Sequence, residues 1–510
     1  MTARGIDSDI KKQLFETLEK LEKLEKKLNE SKNEISDLKK EMHKKDKQHK
    51  KETKMMQDEI KDLKNIIEKK DQTIEKLKGE VLRLRTNNKK DSSNSSRPSS
   101  TNGYKKVITN SRQKSNNKPG KPKGFKSTNL SNEKLNQFIN SGDIEYKIVE
   151  VNKKENIKNQ KYKVVKVLDI KIIKEITEYR YYQNENGTYD IPQYHNRAIQ
   201  YGTTLKTICS LLNTNFYNST DGIKAFISDI TNNGVTLAKS TILRWNNILA
   251  NNFEPEISHI ESSLSDTYYV NCDDSSIKIN GQNYNNLCIC DEKHTRHWIS
   301  EKKDHEAWKN KTILDNYLGI IVKDGTDVFN GFGIALAQCN SHIHRYTKGV
   351  YDYINHSGAK ELDDFLKKCI HDRKVAIKNG RKSYTKKELE QLYGEFDSIF
   401  KKWKKQWMKS KIDENPVYED ERKLLARFED EKEREQILYF IKDFNIPATN
   451  SRAEVDQRGV KIKQKIGKFR SVEGAEDYAV NKSCILTYKK NAINVMKAIK
   501  AAFMNNPIII

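Results

Sequence analysis

Over the N-terminal part of the chain, apolar residues recur at alternating three- and four-residue steps: Leu21, Leu24, Leu28, Ile35, Leu38 and Met42. Such steps place them on one stripe of a helix. After the charged interval His43 to Lys54, Ile60, Ile67, Ile74 and Val81 occupy one heptad position, and Leu63, Lys70, Leu77 and Leu84 the other. The first register projects to His49, eleven residues before Ile60, so a four-residue stutter joins the two halves. β-Branched residues at one seam position with Leu at the other favour a parallel pair of helices. The expectation is a coiled coil over residues 8–88 that makes a homodimer or a higher oligomer. The plainer alternative is a single solvated, charged helix.

The periodicity then stops. Residues 89–130 are rich in Ser, Asn, Lys, Pro and Gly, which cannot bury a core, and read as a disordered basic linker. Residues 131–200 contain EYKIVEV and YKVVKVLDIKIIKEITEYRYY, which read as extended segments of a small β-rich region. Between 201 and 255 the pattern turns helical in three short pieces, the last opened by Ser240 as N-cap. Short helices split by Asn and Gly resemble a helix-turn-helix, in which Lys239, Thr241 and Arg244 would face DNA. Ordinary helical hairpins share this pattern.

Beyond residue 265 the period becomes two. TYYVNC leads to Asp273 and Asp274, which stand where the apolar run stops. SSIKING and YNNLCIC follow across a turn, and TRHWIS is a third strand. A helical stretch feeds LGIIV, which ends at Lys323-Asp324-Gly325. ALAQC then runs into Asn340 and a helix. Three hairpin-linked strands, a helix and further strands give the order of an α/β ribonuclease-H-like fold, here 265–356 and 446–500 around a helical insertion at 357–445. Cys288 and Cys290 alternate on one strand and read as core.

Charge narrows the partners. The 510 residues carry a formal net charge of +24, which favours polyanions, nucleic acid first and an anionic membrane surface second. No apolar run approaches membrane-spanning length, and the first residues lack the apolar core of a signal peptide. Seven dispersed cysteines, none before Cys209, fit a reducing cytoplasm.

In the last third, Asn450, Glu454, Arg458, Lys461 and Lys465 share one helical stripe, with Val455, Gly459, Ile462 and Ile466 as the expected packed edge beside it. Glu454 is a lone acid on a basic face; taken alone, an ordinary surface ion pair with Arg458 is the readier account of it.

Together these segments resemble the insertion-sequence-66-type transposases of bacteria, from the coiled coil to about Ile499. DSSNSSRPSS is similar to that family's Asn-Ser-Ser-Lys-Pro segment, and CDDSSIKING to its Asp-Glu-Thr strand with an Asn-Gly turn. VKDGTDVFNG resembles its second-aspartate motif, and CNSHIHR its Cys-x-x-His-x-x-Arg. NSRAEVDQRGVKIKQKIGKFRSVEGAE resembles its Asn-Asn-x-Ala-Glu signature. The resemblance implies Asp273, Asp324 and Glu454 as a catalytic, metal-binding triad, with Cys339, His342 and Arg345 in support. Ser451 stands where the family has a second Asn. The family's four-cysteine zinc segment has no counterpart, so no structural zinc is expected there.

Carboxylates about 4 Å apart repel by roughly 4 kcal/mol at an effective dielectric near 20, so such a cluster calls for cations. Two Mg²⁺ or Mn²⁺ ions suit hard oxygen ligands. His342 would orient the scissile phosphate or pack behind Asp324. Cys339, His342 and His344 make at most a partial soft-metal site. Arg458, Lys461, Lys465 and Asn450 are expected to hold DNA flanking the scissile bond. The expected function is DNA transposition in the bacterial nucleoid, on element ends and target DNA, with possible accessory element-encoded proteins. The alternatives are an inactive DNA-binding protein derived from a transposase and a nuclease of the same fold.

Overall fold

A computed structural model of the chain describes residues 17–28, 50–95, 131–151, 161–409 and 419–510, bar a few single positions. The seam residues Ile35, Leu38 and Met42, and linker residues 96–130, lie outside the described residues. The chain divides into two compact units: residues 1–112, 199–220 and 240–510 form one, and residues 113–198 and 221–239 the other.

In the first unit, helix α1 (Lys50–Lys89) carries the heptad seam. Ile60, Ile74, Val81 and Leu84 are buried, and Leu63, Ile67 and Leu77 half-buried. Lys70 Nζ donates to the Lys27 carbonyl at 3.2 Å, so helical residues 19–28, with Leu28 buried, lie alongside α1. The stripe that the sequence assigns to a dimer is thus covered within a single chain.

The linker expected to lack structure begins with an ordered turn. Asp91 Oδ1 accepts from Ser93 N at 2.7 Å, and Asn94 Oδ1 accepts from Asp91 N at 2.8 Å. Ser92, Ser93 and Asn94 are buried. Asn94 Nδ2 donates to Asp352 at 3.3 Å, and Lys90 pairs with Asp420. A Cβ on Gly349 would lie 2.3 Å from the Asn94 carbonyl oxygen, so a mid-helix glycine admits the turn. Composition argued for disorder; short Asp, Ser and Asn side chains satisfying their own backbone decided otherwise.

The second unit holds helix α2 (Asn132–Ser141), capped by Ser131. The sheet expected over 131–200 is not formed among the described residues. Residues 163–183 form neither helix nor strand, and Val165, Ile173 and Ile176 are exposed.

Helices α3 (Thr203–Thr214), α4 (Thr220–Ile230) and α5 (Lys239–Asn252) match the three helical pieces, with α5 starting one residue before Ser240. The unit boundary runs through this region, leaving α3 and nearly all of α5 with the five-stranded sheet that follows. Asn246 Nδ2 donates to Asn213 at 3.0 Å, and Asn481 Nδ2 to the Asn246 carbonyl at 2.8 Å. Helix α6 (Glu254–Ser265) leads into the sheet.

That sheet has five strands: β1 (Tyr269–Ile279), β2 (Gln282–Cys290), β3 (Thr295–Ser300), β4 (Ile320–Lys323) and β5 (Ala335–Gln338), in spatial order 3-2-1-4-5. The β1–β2 and β2–β3 pairs are antiparallel, β1–β4 and β4–β5 parallel. Asn280 and Gly281 both take positive φ, 47° and 85°, which is what a two-residue hairpin matching the strand twist requires. The apolar run of β4 is buried throughout, as a parallel inner strand demands.

Helix α7 (His305–Lys311) precedes β4 and α8 (Asn340–Ile354) follows β5. The insertion consists of α9 (Ser357–Lys378), α10 (Lys386–Lys409), α11 (Glu419–Glu429) and α12 (Glu431–Lys442). They share a core around Phe396, Trp403 and Phe428, joined by Ile343 and Val350 of α8. Helices α13 (Ser451–Ile466) and α14 (Val472–Lys490) cover the face of the sheet that carries Ile277 and Ile279, and α15 (Val495–Phe503) follows.

Candidate active site

Parallel pairing of β1 with β4 ends at Asn271 opposite Val322, while β1 continues to Ile279 along β2. Asp273 and Asp274 therefore lie within β1, not at its end as the sequence suggests. They stand just past the last rung shared with β4. Asp324 is the residue after β4, so both acids emerge at the carboxyl edge of the parallel pair, where α/β sheets hold ligands. Strand alternation separates the neighbours. Asp274 accepts from Lys303 Nζ at 2.9 Å, while Asp273 faces α13. Gln457 Nε2 fixes the Asp273 carbonyl at 3.0 Å and the Asn286 carbonyl at 2.9 Å.

Glu454, in the first turn of α13, joins Asp324, Cys339 and His342 in a group whose donor atoms all lie within 4.8 Å of one another. Asp273 stands at the edge of this group and feels its charge. Burial, then Asp324, Asp274 and Glu454, push the Asp273 carboxyl up to about 8 against the pull of Lys461. His342 Nδ1 is 3.1 Å from Asp324 Oδ1. Burial pulls that imidazole down, but Asp324 and Cys339 outweigh it and hold it up at about 10. Of the two expected roles for His342, the one behind Asp324 matches this contact. His344 leaves the site, since its Nδ1 contacts Asp363 at 2.6 Å. Arg345, half-buried, spans to the Ser341 carbonyl at 3.4 Å.

The donor set fits a hard divalent cation. Asp324 and Glu454 lie together, and Asp273 feels both: burial first, and then these acids, drive its carboxyl up, with no ion pair of its own among the described residues. The softer donors are engaged: Cys339 Sγ accepts from Asn450 N at 3.1 Å, and His342 rests on Asp324. Asp273, Asp324 and Glu454 are the residues that could hold Mg²⁺ or Mn²⁺.

Helix α13 corrects two expectations. Asn450, expected on the DNA-facing stripe, is fully buried. Its Nδ2 donates to the Cys272 carbonyl at 2.6 Å, and its Oδ1 accepts from Asn271 at 2.9 Å. It ties the strand of Asp273 to the helix of Glu454 and has no surface for DNA. The expected packed edge is also turned out: Val455, Ile462 and Ile466 are 53%, 41% and 49% exposed. Only Gly459 of that set is buried. The buried face is largely polar, with Asp456, Gln457 and Lys463, because neighbouring elements supply partners for each. Arg458, Lys461 and Lys465 are exposed, as the stripe predicts.

On α5, Arg244 is exposed and Thr241 half-exposed, while Lys239 pairs with Asp221 at 2.7 Å. Sequence reasoning missed Gln457, although its place three residues after Glu454 is a readable signal. Among the described residues no helix is long and apolar enough to cross a membrane.

Comparison with known proteins agrees with the motifs. No curated protein and no solved structure matches the chain. The family model described as "Transposase IS66 family" matches residues 206–477, more than half of the 510 residues, a span within which Asp273, Asp324 and Glu454 fall. The chain belongs to the IS66 transposase family.

Proposed function

We propose that this chain is a DNA transposase that cleaves at the ends of its element and joins them to target DNA, using Asp273, Asp324 and Glu454 with divalent metal. The observation that carries the reading is the convergence of these acids from two adjacent strands and a helix. The 3-2-1-4-5 order, antiparallel then parallel, supports a ribonuclease-H-like core. When bound, two metal ions would activate the attacking oxygen and stabilise the leaving one. The chain's own residues then have separable tasks. Asn450 and Gln457 hold the backbone on which Asp273 sits, so the acids keep their spacing between turnovers. His342 lies behind Asp324 and orients that carboxylate. Arg458, Lys461 and Lys465 hold phosphates beside the acids. Lys239, Thr241 and Arg244 are the candidate readers of the ends, as in a helix-turn-helix. The α1 seam is the candidate contact for a homodimer or higher oligomer, which requires residues 19–28 to yield it.

The test is strand transfer with the DNA that flanks the coding sequence, in Mg²⁺ or Mn²⁺ and in chelator. Joined products that vanish in chelator support the reading. Hydrolysis without joining favours a nuclease, and binding without cleavage favours an inactive DNA-binding protein.

A further inference from the structure

Asp324 is followed by Gly325, and the structure gives this glycine a reason. Its φ is not in the left-handed region, so backbone conformation does not demand glycine there. A Cβ at this position would lie 2.7 Å from Arg427 Nη2, 3.1 Å from Nη1 and 3.2 Å from Cζ. The guanidinium of Arg427 therefore lies against the backbone of the turn that presents Asp324. A Cβ here would push the guanidinium out of this place.

Arg427 comes from the last turn of α11, inside the helical insertion. It is not a loose surface arginine. Nη2 donates to the side chain of Gln338, the last residue of β5, and Nε donates to Glu433 Oε2 at 2.7 Å. The guanidinium lies 5.9 Å from the ring of Tyr346, which is one turn beyond His342 on α8. Buried Lys323, the residue before Asp324, donates Nζ to the Thr326 carbonyl at 2.7 Å across the same turn. One side chain from the insertion thus touches the catalytic turn, the end of β5 and the helix of His342.

We propose that Arg427 is a positioning residue for Asp324, and that through it the insertion sets the geometry of the metal-binding acids. The planar fork is what the place requires, since it lies flat on the turn while donating to two partners. Lysine offers a point charge and cannot do both. This inference rests on the reading of Asp324 as a metal ligand.

The experiment uses the full-length chain and reads Mn²⁺ binding by electron paramagnetic resonance, alongside the metal concentration for half-maximal cleavage. Arg427→Ala and Arg427→Lys should each weaken Mn²⁺ binding by about tenfold or more, as loss of a ligand-orienting partner does. Saturating metal should restore most of the cleavage rate, an outcome that a merely unfolded variant cannot give. Gly325→Ala should reproduce the defect by displacing the guanidinium, and it serves alone if the Arg427 variants do not fold. Gly325→Ala combined with Arg427→Ala should be no worse than either single change, because both remove one contact. Arg422→Ala, on an exposed arginine of the same helix, should change nothing. Mn²⁺ binding within twofold of wild type in both Arg427→Ala and Gly325→Ala, or additive effects in the double variant, overturns the proposal. If Asp324→Ala itself binds Mn²⁺ normally, the failure lies in the reading of the acid and not in Arg427.

Discussion

Helix α13 covers two clusters of metal-ligating side chains on one face of the sheet. One is Asp324, Cys339, His342 and Glu454 with Asp273 at its edge; the other is Cys288, Cys290 and Asp456, equally close-packed. Their helical acids, Glu454 and Asp456, are two residues apart. In the second cluster Asp456 accepts from Lys490 Nζ at 2.8 Å and from Thr295 Oγ1 at 2.7 Å, and Lys490 also donates to the carbonyls of Asp291 and His294. A largely buried ammonium with three hydrogen bonds already supplies the cation; both cysteines are buried, and burial holds the Cys288 thiol well above its ordinary range. In the first cluster the His342 imidazolium lies on Asp324, but among the described residues no cation pairs with Asp273, whose carboxyl is raised by burial and by its acidic neighbours. Proximity of ligands is therefore common to both, and a carboxyl without a paired cation belongs to one. A metal site is recognised by what remains unsatisfied.

The sharpest way to break this contrast is to neutralise the acids one at a time. Asp273→Asn, Asp324→Asn and Glu454→Gln should each lower end cleavage by on the order of ten-thousandfold, over 5 kcal/mol of transition-state stabilisation, with DNA binding nearly intact. Asp456→Asn should leave single-turnover cleavage and Mn²⁺ binding close to wild type. Cleavage that survives in the Glu454 variant, or metal binding lost in the Asp456 variant, would erase the distinction.

The second cluster should answer in stability instead. Asp456→Ala leaves Lys490 charged and buried without its carboxylate, which should cost about 3–5 kcal/mol in urea unfolding. Adding Lys490→Met should recover most of that loss, because the orphaned charge goes with it. A single variant as stable as wild type would mean that the ion pair is not the element that satisfies this cluster.

A third carboxylate sharpens the comparison, since it has neither cation nor metal. Glu256 is fully buried, and burial pushes its carboxyl up to about 7. A raised carboxylate keeps its proton in the folded state while the unfolded chain has released it. Its contribution to stability is therefore largest below the ordinary glutamate range, falls as pH rises toward about 7, and is constant above. Glu256→Gln should remove that decline, a difference on the order of 1–3 kcal/mol between unfolding at pH 5 and pH 8 relative to wild type. Parallel pH profiles for the two proteins would show that the carboxylate finds a partner in solution.

The smallest effect belongs to the outer face of α13. Lys461→Ala with Lys465→Ala should flatten the slope of log affinity against log salt by about 0.9 per phosphate contact, nearly two units, on cognate and random DNA alike. An unchanged slope would move DNA binding off this face and leave Lys461 only its pull on Asp273.

Local chemistry made several features legible in the sequence. The Asn-Gly hairpin, the apolar run of β4 that leads to Asp324 and the exposed Arg458, Lys461 and Lys465 all follow from period and turn preference. These depend on residues a few positions apart. Which face of α13 would be covered did not follow. Spacing fixes which side chains share a stripe, but burial depends on partners brought from elsewhere. Gln457 is buried because Asn286 and Asp273 offer carbonyls, and Asp456 because Lys490 comes from α14. Val455, Ile462 and Ile466 are left outside for want of an element packed over them. The same limit hid the role of Asn450, the ordered turn at Asp91 to Ser95 and the reach of Arg427 to Gly325. Each joins residues at least 50 positions apart or relies on a missing side chain on another helix. The sequence alone determined which acids are present and on which elements they ride. Only the tertiary structure decided which of them stay uncompensated, because compensation is a matter of distance in space.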